Sequence, residues 1–108
     1  MSKAERISQR IEGLEAEYRI QLTAALSECA GGRWGLFGQN EHLGNWWHTE
    51  KLEELRDLAD SINVLRDRIG EAPYELHAEF EAARGRGDSN QVGEPKLAQH
   101  WLSMLEAD

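Results

Sequence analysis

The sequence predicts an all-α fold, an irregular bundle of two long antiparallel helices, about 3–29 and 50–69, with two short ones, about 73–84 and 95–106. Three observations predict it. Apolar residues recur at gaps of three and four through each stretch, which lines one face of a helix. Glycine or proline stands near the borders of the stretches, where helices stop and start. No stretch alternates apolar and polar residues at a period of two, so no strand is expected. Residues 1–108 read as one helical domain, with a long inter-helix loop at 30–48 and a polar loop at 85–93.

The first helix carries Ala4, Ile7, Ile11, Leu14, Tyr18, Leu22, Ala25 and Cys29 on one face. Ser2 and Glu5 have the spacing of a capping box, in which each side chain takes up a backbone N–H of the other. Gly31-Gly32 ends the helix. A second stripe of mostly small residues, Gly13, Ala16, Ile20, Ala24 and Ser27, invites the close approach of a neighbouring helix. The competing reading is that Gly13 sits tolerated on an open face, at a cost of roughly 1 kcal/mol against alanine.

The second helix buries Leu52, Leu55, Leu58, Ala59, Ile62, Leu65 and Ile69, with His48 or Thr49 as its cap and Gly70 as its stop. Pro73 suits the first turn of the third helix, whose apolar side is Tyr74, Leu76, His77, Phe80 and Ala83. Pro95 opens the fourth, with Leu97, Ala98, Trp101, Leu102 and Leu105 on one face. Two long amphipathic helices present more apolar surface than two short ones readily cover, which points to a homodimer.

The formal net charge is −8, and the excess falls downstream, since residues 1–33 hold five basic and five acidic side chains. An acidic surface repels phosphate backbones, so nucleic acid is not expected as a partner, while a basic partner protein is compatible with it. No apolar run approaches the roughly 20 residues of a membrane span. The polar start Met1-Ser2-Lys3-Ala4-Glu5-Arg6 has no apolar region of the secretory type, and Cys29 is the single cysteine, so the expected location is the cytoplasm. Its place on the apolar stripe suits a buried thiol better than a nucleophile.

The stretch between the long helices is the strongest candidate for a working surface. Helix connections in bundles take about 2–8 residues, and this one is roughly twice as long. It holds three of the four tryptophans and two of the four histidines. Arg33, Trp34, Phe37, Asn40, His42, Asn45, Trp46, Trp47 and His48 set directional polar groups beside apolar walls, which is the chemistry of a protein hot spot or a small-ligand pocket. The same residues would also make a plug for the open end of a small bundle.

Glu12-x-x-Glu15 and Glu54-x-x-Asp57 resemble the E-x-x-E and E-x-x-D pieces of all-α nucleoside triphosphate pyrophosphohydrolases. The resemblance implies carboxylates holding Mg²⁺ for a triphosphate. It extends to these short pieces alone, and the interval between them is longer than that family's. Solvated helix faces produce the same letters. Cys29, His42 and His48 lack the paired spacing of a structural zinc site, so neither a metal nor any other cofactor is expected. No coherent catalytic set emerges. The expectation is a non-enzymatic protein that binds a partner protein through 33–48. The alternative is a small-anion or nucleotide-binding regulator, or a small metal-dependent nucleotide hydrolase.

Overall fold

The computed structural model describes residues 2–32, 35–37, 49–84 and 94–107. Four α-helices make up nearly all of this: α1 (Lys3–Ala30), α2 (Thr49–Arg68), α3 (Glu75–Ala83) and α4 (Glu94–Ala107). The all-α bundle expected from the periodicity is the fold. α1 packs against both α2 and α4, and α3 lies on α2. Lys51, near the start of α2, meets Gln21 at 2.8 Å, and Arg66, near its end, meets Glu15 at 2.9 Å. Residue numbers therefore rise in opposite directions, and the two long helices are antiparallel. With 28 residues, α1 is about 42 Å long. It spans most of the molecule's 49 Å long axis.

Local chemistry sets the helix ends. The capping box forms as expected: the Ser2 hydroxyl accepts from Glu5 N–H at 3.1 Å, and Ser2 N–H donates to Glu5 Oε1 at 3.4 Å. α2 ends in a Schellman turn, with Glu71 N–H on the Arg66 carbonyl at 2.9 Å and Gly70 N–H on that of Asp67 at 3.1 Å. The turn requires a left-handed residue, and Gly70 supplies it at φ 74°. α3 starts later than proline placement suggests. Tyr74 N–H is held by Asn63 Oδ1 at 2.8 Å, and Tyr74 stays extended at ψ 112° as the N-cap. Pro73 is thereby left outside the helix. Pro95 does lie in the first turn of α4.

The core forms where these helices meet. Tyr18, Leu22, Leu26 and Cys29 of α1, Leu55, Ala59 and Ile62 of α2, and Phe80 of α3 are all fully buried. Burial of one such large side chain is worth roughly 1.5–3 kcal/mol. Cys29 is in no disulfide. The small-residue stripe of α1 lies on the opposite side. Gly13, Ala16, Ile20, Ala24 and Ser27 are exposed, Ile20 at 62%, and a Cβ on Gly13 would meet nothing within 4 Å. Among the described residues, no helix makes the close approach that the stripe permits. Among the described residues no helix is long and apolar enough to cross a membrane.

Candidate functional site

The loop begins where α1 ends. Of its nine proposed binding residues, Phe37 alone falls among the described residues. Arg33, Trp34, Asn40, His42, Asn45, Trp46, Trp47 and His48 lie outside them. Phe37 is fully buried and belongs to the core. Its ring meets Phe80 edge-on at 5.6 Å and Trp101 at 6.2 Å, and Phe80 meets Trp101 at 5.8 Å. Leu36 is equally buried. Segment 35–37 therefore plugs the bundle, and Phe37 is unavailable to a partner. The reason is volume: rings from α3, α4 and segment 35–37 fill one part of the core together.

A polar chain fastens this plug. The Arg84 side chain, just past α3, donates from Nε to the Leu36 carbonyl at 2.7 Å. Its Nη1 stands 3.8 Å from Glu81. Glu81 accepts two N–H bonds from Arg56 of α2, at 3.1 and 3.2 Å. His77, one turn earlier on α3, places Nε2 3.9 Å from the same carboxylate. On its other side, His77 Nδ1 is 2.7 Å from the Tyr18 hydroxyl of α1. The Tyr18 ring meets His77 and Tyr74 edge-on at 5.5 and 5.2 Å. One network thus ties α1, α2, α3 and the loop base together.

Burial and charge tune these groups. Burial pushes the Tyr18 hydroxyl far above the ordinary tyrosine range, with Tyr74 and Glu81 adding to it. Burial also pulls the His77 imidazole below its usual value, helped by Arg56 and opposed by Glu81 and Asp60. Burial would raise the Glu81 carboxyl, but the Arg56 hydrogen bonds and charge, with Arg84 and His77, hold it below the ordinary range. The pattern is a neutral His–Tyr pair beside an ionised, well-partnered Glu–Arg pair. Burial disfavours a proton on His77, and the charges of Glu81 and Asp60 oppose that effect without reversing it.

Periodicity alone does not reveal this network. Tyr18 and His77 read as members of apolar faces. The available signal was a tyrosine in the middle of the α1 core stripe, and His77 and Glu81 one turn apart on α3.

The carboxylates of the pyrophosphohydrolase-like pieces are dispersed by comparison. Glu15 pairs with Arg66, which also reaches Glu71 at 3.5 Å and the Ala72 carbonyl. Glu54 pairs with Lys51 at 3.1 Å, while Glu12 and Asp57 are exposed. Among the described residues no three His, Cys, Asp or Glu side chains gather as a metal site. An open groove of about 530 Å³, lined by Lys3, Ala4, Ile7, Arg68 and Ile69, lies at the opposite end of the bundle from the loop. No family model, no curated protein and no solved structure matches this chain.

Proposed function

We propose that this protein works by binding a partner protein through residues 33–48, without catalysis. The observation that supports this reading is the anchoring of the loop base. Leu36 and Phe37 are sealed in the core, and Arg84 grips the Leu36 carbonyl. A recognition loop gains affinity when its attachment points are ordered before binding. Residues 38–48 leave from one such point and reach another at the start of α2. Trp34, Trp46 and Trp47 are the hot-spot residues of the proposal, with Arg33, Asn40, His42, Asn45 and His48 supplying direction. A basic partner suits the net charge of −8. A homodimer belongs to the same proposal, with the exposed outer face of α1 as its contact. The pairing of Glu15 with Arg66 and of Glu54 with Lys51 weighs against the hydrolase alternative, which needs those carboxylates for Mg²⁺.

Alanine at Trp34, Trp46 and Trp47, one at a time, tests this. The variants should melt close to the parent protein while losing a partner that the parent retains in pull-down. Variants that lose stability as a core substitution does would identify the indoles as further plug and overturn the proposal. Sedimentation equilibrium across a concentration series tests the dimer, and a monomer at every concentration removes it.

A further inference from the structure

The attachment of α3 has one feature that structural packing alone does not require. Nine residues long, α3 is the shortest helix among the described residues, and it lies on α2 while a titratable pair ties it to α1. The Tyr18 hydroxyl, fully buried and kept protonated, lies 2.7 Å from His77 Nδ1. With no second acceptor for it among the described residues, the neutral pair is satisfied when the hydroxyl donates. The neutral imidazole therefore carries its hydrogen on Nε2, toward Glu81. A second proton on Nδ1 reverses this bond. The ring would then donate to the Tyr18 oxygen, and the tyrosine's own hydrogen would need another acceptor. Tyr18 has no other hydrogen-bond partner among the described residues. A buried donor stripped of its acceptor costs free energy that a solvated one does not.

We infer that α3 is an acid-released latch on the base of the 33–48 loop, with His77 as the group that senses the proton. Among the described residues, four titratable or charged groups face His77. Glu81 stands on its own helix, while Arg56 and Asp60 reach it from α2. Tyr18 faces it from α1. Glu81 and Asp60 favour an imidazolium, but Glu81 is shared with Arg56 and Arg84, and burial of the ring outweighs their charge. Detachment of α3 restores water to the ring and removes the penalty. It also withdraws Phe80 from Phe37 and Arg84 from the Leu36 carbonyl. Proton uptake at one side chain is thereby coupled to loosening of the segment from which the loop departs. What the latch would regulate rests on the loop-binding reading, but the latch itself does not.

The sign follows from linkage. A histidine whose folded pKa is depressed contributes stability that is present above about pH 6.5 and is lost as pH falls through the folded value. The opening of α3 should grow by up to about tenfold per pH unit inside that window. Hydrogen exchange of the intact chain between pH 7.5 and 5, corrected for intrinsic rates, reads this directly. Amides of α3 should lose protection as pH falls from about 6.5 and level off as the native His77 titrates, followed by NMR, while the central amides of α1 and α2 keep theirs. His77→Gln accepts from Tyr18 and bears no titrating group, so its α3 protection should be flat with pH. Tyr18→Phe leaves no hydroxyl to strand, and His77 should then titrate closer to the ordinary value.

Protection of α3 that stays constant from about pH 6.5 down to the His77 titration overturns the latch, as does a His77 titration at or above the usual value. These readouts need no partner. Loss of the loop-binding reading would therefore leave them standing, and their failure would leave loop binding untouched.

Discussion

Replacing Phe37 by alanine separates a docked loop base from a loose one. Phe37 is fully buried against Phe80 and Trp101, at 5.6 and 6.2 Å. Truncations of this kind in protein cores cost about 3–5 kcal/mol. Each aromatic pair contributes roughly 0.5–1.5 kcal/mol beyond its buried area, and two pairs are lost together. The segment joins the end of α1 to a loop, so partial collapse into the vacated space brings the expectation to the lower bound, about 3 kcal/mol. That is a large part of the 5–15 kcal/mol typical of a domain. It should lower Tm by roughly 12 °C at this chain length.

Urea unfolding followed by circular dichroism at 222 nm gives the number, provided the slope m stays constant. Phe37→Leu keeps most of the apolar volume and should lose about 1–1.5 kcal/mol. Ile20→Ala removes a side chain that is 62% exposed and should stay within about 0.5 kcal/mol of the parent. A Phe37→Ala variant within about 1 kcal/mol of the parent would refute the docking of 35–37, and the latch argument would fall with it.

Three further outcomes follow from named contacts. Gly13 stands mid-helix with open space around it, so Gly13→Ala should raise stability by about 1 kcal/mol in thermal or urea unfolding; a decrease would mean that something covers that face. Gly70 at φ 74° closes α2, so Gly70→Ala should cost about 1–2 kcal/mol, and a neutral result would refute the left-handed turn. Burial raises the pKa of both Tyr18 and Tyr74, so their contribution is intact below about pH 10 and is lost as pH rises past it. Urea midpoints measured from pH 8 to 11 should fall at the alkaline end, and less so in Tyr18→Phe.

The helices were legible because their signals are local. The Ser2–Glu5 box, the glycine stops and the apolar period each lie within one or two turns of the chain, and each reappears as geometry. Where local rules competed with a distant contact, the contact won. Pro73 marks a helix start by propensity, yet Asn63 takes the N–H of Tyr74 and moves the start to Glu75. The stripe from Gly13 to Ser27 has a helix-packing spacing, yet α2 and α4 both settle on the other face.

The loop shows the harder limit. A helix repeats, so each residue's face follows from its neighbours, whereas a loop has no period from which to read direction. Trp34, Phe37, Trp46 and Trp47 are equivalent by composition, and nothing in their order says which ring goes inward. The deciding partners, Phe80 and Trp101, sit on helices far along the chain. The Tyr18–His77 pair spans 59 residues and has the same character. Both residues satisfy an apolar pattern, and their polar atoms acquire meaning only when α3 folds back onto α1. Such pairs combine a hydrophobic body with one polar atom. They enter a core on the strength of the body and then bind the core's stability to whatever state the polar atom is in. That is how a helix of nine residues comes to depend on a proton.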